Sequence, residues 1–374
     1  MNFSDLLKMM VDKDATDLYI SVGSPPMYRI GKNIYPISST KLSPAVTEKI
    51  ALSFLDDAQA QEFSEQKEID IAYSVPGVGR VRINIYRQRG SVGMVLRHIK
   101  SEILTMDELD LPSIINKLCN TQRGLILVTG ATGSGKSTTL AAMIDHINSA
   151  RSGHIVSIED PMEFLHYHKK CIVTQREVGM DTDSYQRALK SALRQTPDVL
   201  LIGEIRDQET MKAALTFAET GHLVFSTLHS VNANQTLERI MNFFPVDNHP
   251  MIRQHMSLNL KAILSQRLVT RSTGKGMIAA MEILINTARI SDLIHKGDID
   301  GIKSAIAAAR QSGLQTFDQH LFDLYQNGTI KLEDALAAAD SANDLKLRIK
   351  MDGASEEQSG KHAVMTDAIS FKDD

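Results

Sequence analysis

The sequence predicts an α/β protein in three parts. An α+β region runs from Met1 to about Lys100, a mostly parallel sheet covered by helices from Gly124 to about Val269, and a helical region follows. Three observations carry that prediction. Residues between Asp17 and Leu96 repeatedly alternate apolar with polar, the period of half-buried strands. From Gly124 onward, short apolar runs alternate with helical patterns, as strands of a parallel sheet do when both faces are covered. The third is the run Leu125 to Thr129, which breaks into Gly130-Ala131-Thr132-Gly133-Ser134-Gly135-Lys136-Ser137-Thr138; Leu140, Met143, Ile144 and Ile147 follow at helical spacing.

Gly130 through Ser137 fits G-x-x-x-x-G-K-[ST], the loop that wraps nucleotide phosphates. Glycines let backbone N–H groups close round phosphates without Cβ clashes, and the helix that starts here adds its positive dipole end. Lys136 reaches the β- and γ-phosphates as a point charge, and Ser137 holds Mg²⁺. A chance glycine turn is the bland alternative; the strand before and the helix after weigh against it.

The totals bound the rest. A chain of 374 residues has room for two or three domains, and 43% hydrophobic content is ample for their cores. A net charge of −4 does not invite nucleic acid, although a total can hide a basic pore. Cys119 and Cys171 form neither a metal spacing nor a disulfide framework, which fits a reducing compartment. Asp5, Lys8, Asp12 and Lys13 stand where a signal peptide needs an apolar core, and no uncharged apolar run approaches membrane-spanning length. The expectation is a cytoplasmic protein whose membrane contact runs only through partners.

Taken in order, Phe3 to Leu7 opens a short helix, Asp17 to Val22 alternates as a strand, and Gly23 to Pro26 turns. Ser43-Pro44 joins a capping residue to a proline at the first helical position, with Val46, Ile50 and Phe54 on one face. Ile69, Ile71 and Tyr73 alternate, Pro76 to Gly79 turns, and Val81, Ile83 and Ile85 alternate again. A further strand runs from Val92 to Leu96. Alternation gathers Arg80, Arg82 and Asn84 on one face, with Arg87, Arg89 and Arg97 nearby in the chain. A solvated face is the ordinary reading of such arginines; beside a nucleotide domain they are also candidates to meet a neighbour's phosphates. Thr105-Met106-Asp107-Glu108 has the form of a capping box and predicts a helix start, and Pro112 begins another helix.

Farther on, His154 to Ile158 and Asp198 to Ile202 are strands, the first ending in Glu159 to Glu163 and the second in Gly203-Glu204. Tyr185, Leu189 and Leu193 mark a helix. Asp207 caps the next one, which Gly221 stops, and His222 to His229 is another strand. Met277 to Ile285 reads as one more, before alanine-rich helices. The expected divisions are 1–100, an interdomain linker over 101–120, a core that holds the phosphate loop over 121–270, a strand and helices over 271–350, and a disordered tail over 351–374.

Ligands of open α/β sheets collect at the carboxyl ends of strands, and Glu163, Glu204 and His229 all follow strand ends. A hydrolase needs a group to orient water against the γ-phosphate. Four apolar residues leading into Glu204 favour it as that group over a surface carboxylate. Glu163 fits a catalytic acid and a helix-start acid equally well. Alternation puts His222 and His229, seven residues apart, on opposite faces, which argues against a shared metal.

Four stretches are specific together: Gly130 to Ser137; Ile158-Glu159-Asp160-Pro161-Met162-Glu163-Phe164; Gly203-Glu204-Ile205-Arg206-Asp207; and Ala218 to Val224 with Thr227-Leu228-His229. They resemble the phosphate loop, aspartate box, atypical second acidic motif and histidine box of the secretion and type IV pilus ATPases. From residue 1 to about residue 345 the chain is similar to the retraction branch of that family, the PilT and PilU ATPases. The resemblance implies a PAS-like N-terminal domain, a RecA-like motor domain and a homo-hexameric ring that uses ATP and Mg²⁺ to drive pilus retraction and twitching motility. It makes Glu204 the catalytic carboxylate, gives Glu163 a part in hydrolysis and His229 the sensing of the γ-phosphate. Thr132, Ser134, Thr138 and His222 join the nucleotide-binding set, and Arg82 and Arg97 approach a nucleotide from the N-terminal side. Implied partners are a companion PilT-type ATPase and the inner-membrane pilus platform protein, with the ring at the cytoplasmic face of that membrane.

Departures place the chain within the branch. PilT-like proteins carry a helix close to Ala-Ile-Arg-Asn-Leu-Ile-Arg-Glu, which here stands as Ala288-Arg289-Ile290-Ser291-Asp292-Leu293-Ile294-His295. Ser265 to Val269, Asn242 to Pro245, Gly313 to Gln319 and the tail look more like PilU, so an accessory retraction role is expected. Pilus-extension motors usually carry a four-cysteine zinc element, which two cysteines cannot supply. Two rival functions remain: a nucleotide-binding ring subunit without turnover, and a nucleic-acid translocase, which would need a basic channel.

Overall fold

The computed structural model describes residues 3–75 and 78–351. The chain divides into two units. The first comprises Met1–Ile103, Glu159–Tyr167 and Gln175–Ala188; the second comprises Leu104–Ile158, His168–Thr174 and Leu189–Asp374.

The first unit holds helix α1 (Phe3–Asp12), strands β1 (Asp17–Ile20), β2 (Met27–Ile30) and β3 (Asn33–Pro36), helices α2 (Pro44–Leu52) and α3 (Asp57–Gln66), and strands β4 (Glu68–Val75), β5 (Gly79–Gln88) and β6 (Ser91–His98). The strands form one antiparallel sheet in the order β3-β2-β1-β6-β5-β4. Alternation along β5 decides its faces: Val81, Ile83 and Ile85 are fully buried in a core with Leu7, Met10, Ala51 and Phe63, while Arg80, Arg82 and Asn84 are half-buried. Arg89 and Gly90 join β5 to β6 with φ values of 49° and 77°, the pair of positive angles that a two-residue hairpin of matching twist requires.

Several expectations are corrected here. The short strands β2 and β3 and helix α3 carry no periodic signal; α3 has Phe63 as its one buried residue and is started by a capping box between Asp56 and Gln59. In α2 the buried residues are Thr47 and Ala51, while Val46 is exposed. The Pro76–Gly79 turn falls partly on residues 76–77, and the tail on 352–374, both outside the described residues.

In the second unit the Thr105 capping box forms, with Thr105 N–H donating to Glu108 Oε2 at 2.8 Å and Glu108 N–H to Thr105 Oγ1 at 3.2 Å. No helix follows it, because Asp110 turns to φ 51° and Pro112 follows, so the chain makes turns only. After α4 (Ile114–Cys119) come β7 (Gly124–Thr129), α5 (Lys136–Ala150), β8 (Gly153–Glu159), β9 (Cys171–Glu177), α6 (Tyr185–Ala192), β10 (Val199–Ile202), α7 (Gln208–Glu219), β11 (Leu223–Leu228), α8 (Ala233–Asn242), α9 (His249–Asn259), β12 (Leu260–Thr270) and β13 (Met277–Ile285), of which Glu159, Gln175–Glu177 and Tyr185–Ala188 count with the first unit. Helices α10 (Ala288–Lys296), α11 (Asp300–Ala308), α12 (Phe317–Gln326) and α13 (Leu332–Ala338) complete it. The strand order is β13-β12-β7-β11-β10-β8-β9, parallel from β12 to β8, with β13 antiparallel to β12.

Every residue of β7, β10 and β11 is buried, as continuous apolar runs require. One face of the sheet packs Ile126, Val128, Phe225 and Leu264 against Leu140, Met143 and Ile147 of α5. At β12 and β13 the other face packs Val269, Ile278 and Ala280 under Phe317 and Leu321 of α12. Cys119 and Cys171 are free and buried; burial pushes the Cys119 thiol up to about 12, and Cys171 Sγ donates to the Arg151 carbonyl at 3.0 Å. Among the described residues no helix is long and apolar enough to cross a membrane.

Candidate nucleotide site

β7 delivers the chain to the loop, and α5 begins at Lys136 directly after it. The loop needs its glycines for backbone reasons that differ by position. A Cβ on Gly130 would strike Ser134 Oγ and would lie 2.6 Å from the Gln266 carbonyl. Gly133 and Gly135 have φ of 78° and 86°, and a Cβ on Gly133 would meet nothing within 4 Å. Open space beside Gly133 and a helix N-terminus beyond it fit a phosphate group. Lys136, 8% exposed, donates from Nζ to the carbonyls of Gly130 and Ala131, each at 3.0 Å. Those bonds curl the loop round its own lysine. Thr132 is exposed, Ser134 buried, and Ser137 and Thr138 are half-buried in the first turn of α5.

Sheet order brings the next groups to the same edge. β11 lies between β7 and β10, so the carboxyl end of β10 stands about 10 Å from that of β7. Glu204 follows β10. Its Oε1 is 3.2 Å from His229 Nε2, and its Oε2 accepts from Arg206 Nε at 2.8 Å. Thr227 Oγ1 donates to the Gly203 carbonyl at 2.7 Å, and Ile205 N–H to the Thr227 carbonyl at 3.0 Å; both tie the turn carrying Glu204 to β11. The carboxylate is thus an acceptor with a histidine beside it, the arrangement needed to orient water.

His222 is placed otherwise. It precedes β11, at the strand end opposite His229 and about 20 Å from it. Its Nδ1 bonds with the Phe217 carbonyl at 3.0 Å, and its ring packs edge-on against Phe217. The structure does not bring His222 to the phosphate loop of its own chain.

Glu163, Arg82 and Arg97 belong to the first unit. Glu163 is exposed, beside Phe164, which makes a parallel bridge to Lys100. Arg82 and Arg97 face each other across β5 and β6. Two cations so paired repel unless anions intervene, and here they do. Arg97 Nε is 2.8 Å from Asp17 Oδ1; Arg82 reaches Glu177 Oε1 at 3.5 Å and Asp70 Oδ2 at 3.3 Å.

Three acidic groups escaped the sequence reading. Glu177 on β9 is buried, pairs with Arg82 and accepts from Met162 N–H at 3.4 Å. Burial raises its pKa, against the pull of Arg82. Asp17 is equally buried. Glu282 on β13 accepts from Ala233 N–H at 2.7 Å, at the start of the helix after His229; burial pushes it up to about 7. Asp17 opens β1 and Glu177 closes β9, positions where a carboxylate reads as solvated, and Glu282 lies within the covered strand β13, where its apolar neighbours give it no sign of a role. No local signal could have found them. Among the described residues no group of three or more His, Cys, Asp or Glu is placed to hold a metal. The Ser137 hydroxyl, at the foot of the loop, still fits a cation that shares its ligands with phosphate oxygens.

Comparison with known proteins agrees with this geometry. The family described as Type II/IV secretion system protein matches residues 82–288. Over 372 residues the chain is 50% identical to the type IV pilus ATPase PilU of Pseudomonas aeruginosa, covering 100% of this chain and 97% of that one. It is 43% identical over 335 residues to the PilT retraction ATPase of the same organism, covering 90% and 97%. A crystal structure of the pilus retraction motor PilT with bound ADP superposes with a TM-score of 0.86 at 42% identity, covering 92% of this chain and 99% of that one.

Proposed function

This chain belongs to the Type II/IV secretion system protein family, and we propose that it is an ATP-hydrolysing ring motor for type IV pilus retraction, acting as a PilU-type accessory. The observation that supports this best is the Glu204–His229 pair beside the phosphate loop, at one edge of one sheet. Lys136 and the loop N–H groups bind the phosphates, Glu204 orients the attacking water, and His229 holds Glu204 and senses the γ-phosphate. Mg²⁺, taken up at Ser137, would neutralise charge on the β- and γ-phosphate oxygens.

Arg82 and Arg97 supply positive charge from the N-terminal side, and Glu163 assists hydrolysis. His222, remote from its own chain's loop, serves nucleotide binding in the assembled ring. The ring is a homo-hexamer at the cytoplasmic face of the inner membrane, working with a PilT-type ATPase and the pilus platform protein. Segment 101–120 is its hinge, closing on ATP and opening on product release.

The test is Glu204→Ala. It keeps ATP affinity and lowers turnover by roughly a hundredfold or more, because it removes a group used only in the transition state. Equal turnover in wild type and variant would remove Glu204 from the mechanism. Turnover by the wild type at all excludes the silent-subunit reading, and turnover insensitive to DNA excludes the translocase.

A further inference from the structure

Gln266 sits on β12, one residue beyond the pair Ser265–Thr129 that joins β12 to β7. Three loop residues rest on it. Its Nε2 donates to the Ser134 carbonyl at 2.6 Å, its carbonyl is what a Cβ on Gly130 would meet, and Nε2 would lie 3.1 Å from a Cβ on Gly135. The side chain is 1% exposed, and its Oε1 is buried without a hydrogen-bond partner. An unpaired buried acceptor is costly, and an apolar side chain would avoid the cost. What an apolar residue cannot supply is the donor to Ser134.

That donor controls more than one bond. The peptide unit is planar and trans, so the carbonyl of Ser134 and the N–H of Gly135 point in opposite directions. Pinning the carbonyl toward Gln266 aims the Gly135 N–H away from β12, into the cradle. We propose that Gln266 is a positioning residue, which sets the phosphate loop in its nucleotide-accepting shape before any nucleotide arrives. This rests on Gly130 to Ser137 being the phosphate site.

The shape matters equally to ADP and ATP, so its loss removes uniform binding rather than transition-state binding. In the full-length protein, Gln266→Leu therefore weakens ADP binding and raises KM for ATP, each about five- to tenfold, with kcat within about twofold. Thermal stability is unchanged or higher, because the buried orphan oxygen has gone. Gln266→Glu weakens ADP binding further, since a carboxylate repels both the Ser134 carbonyl and the phosphates. If the Leu variant does not fold, Gln266→Met, with its flexible unbranched chain, carries the same test.

Lys136→Ala serves as the control. If it loses ADP binding while Gln266→Leu and Gln266→Met bind ADP as the wild type does, the positioning role is wrong and the site stands. A drop in thermal stability with unchanged affinity overturns the positioning role in the same way. If Lys136→Ala itself keeps full ADP affinity, the site reading fails, and the role of Gln266 fails with it.

Discussion

In the six-stranded sheet charged side chains stand on a face, whereas in the seven-stranded sheet the proposed reacting groups stand at strand ends. Arg82 and Arg97 occupy the middle of β5 and the end of β6, each neutralised by a carboxylate that is itself buried. Lys136, Glu204 and His229 come from the turns that follow β7, β10 and β11. An antiparallel sheet with one open face can carry charge anywhere on that face, at the cost of pairing it. A parallel sheet covered on both faces has no such room, so its polar groups gather where the strands stop. Glu282 is the exception among the strands covered on both faces, a buried carboxylate in β13 whose pKa burial raises.

The largest expected effect tests the paired face. If Arg97 meets a transferring phosphoryl group, Arg97→Ala lowers turnover by about 10³-fold or more. The variant is clean, because Asp17 keeps Arg29 at 3.6 Å and Thr16 at 2.9 Å. Unchanged turnover in Arg97→Ala and in Arg82→Lys would leave the first sheet without catalytic work and collapse the contrast to one active sheet.

Next in size, Lys136→Ala weakens ATP and ADP binding by about a hundredfold, since a charge-assisted contact to phosphate is lost and the Gly130 and Ala131 carbonyls lose their donor. Isothermal titration reads it directly, and wild-type affinity in that variant would move the site away from the strand ends.

The smallest effect is on stability, at the exception. Glu282 is pushed up from 4.5 to about 7, chiefly by burial, with Asp340 raising it further and Ala233 N–H, Lys303 and Arg267 opposing. Between those two pH values the folded protein keeps a proton that the unfolded chain has shed, so stability falls as pH rises through the window. Above about pH 7 the penalty is complete. Glu282→Gln, which still accepts from Ala233, should therefore raise Tm at pH 8, by up to about 3 kcal/mol of stability, and give no gain near pH 4. A pH-independent difference in Tm would show that folding leaves the pKa of Glu282 unshifted.

How much of this could be read in advance follows the same division. The glycine-rich turn between β7 and α5 was legible because its glycines and lysine stand at a recognisable fixed spacing between a strand and a helix. Glu204 was legible because four apolar residues must end somewhere. Gln266 was not, since its partner Ser134 lies 132 residues away and nothing local marks a glutamine as a prop. Glu177 was hidden for the same reason, its role depending on Arg82 across the unit. The capping box at Thr105 shows the converse error: the local signal was true, each bond forms, and a positive φ five residues later overruled it. Helix α3 was missed because it has a start but no apolar stripe.

One further consequence concerns the two native thiols. Both are enclosed, and burial keeps them protonated well above neutral pH, so neither competes for a maleimide reagent. A dye pair can accordingly be attached at Lys32→Cys and Lys275→Cys, exposed sites in separate units, without first removing Cys119 or Cys171. Energy transfer between the dyes would then report, in real time and in an otherwise native chain, whether nucleotide changes the distance between them.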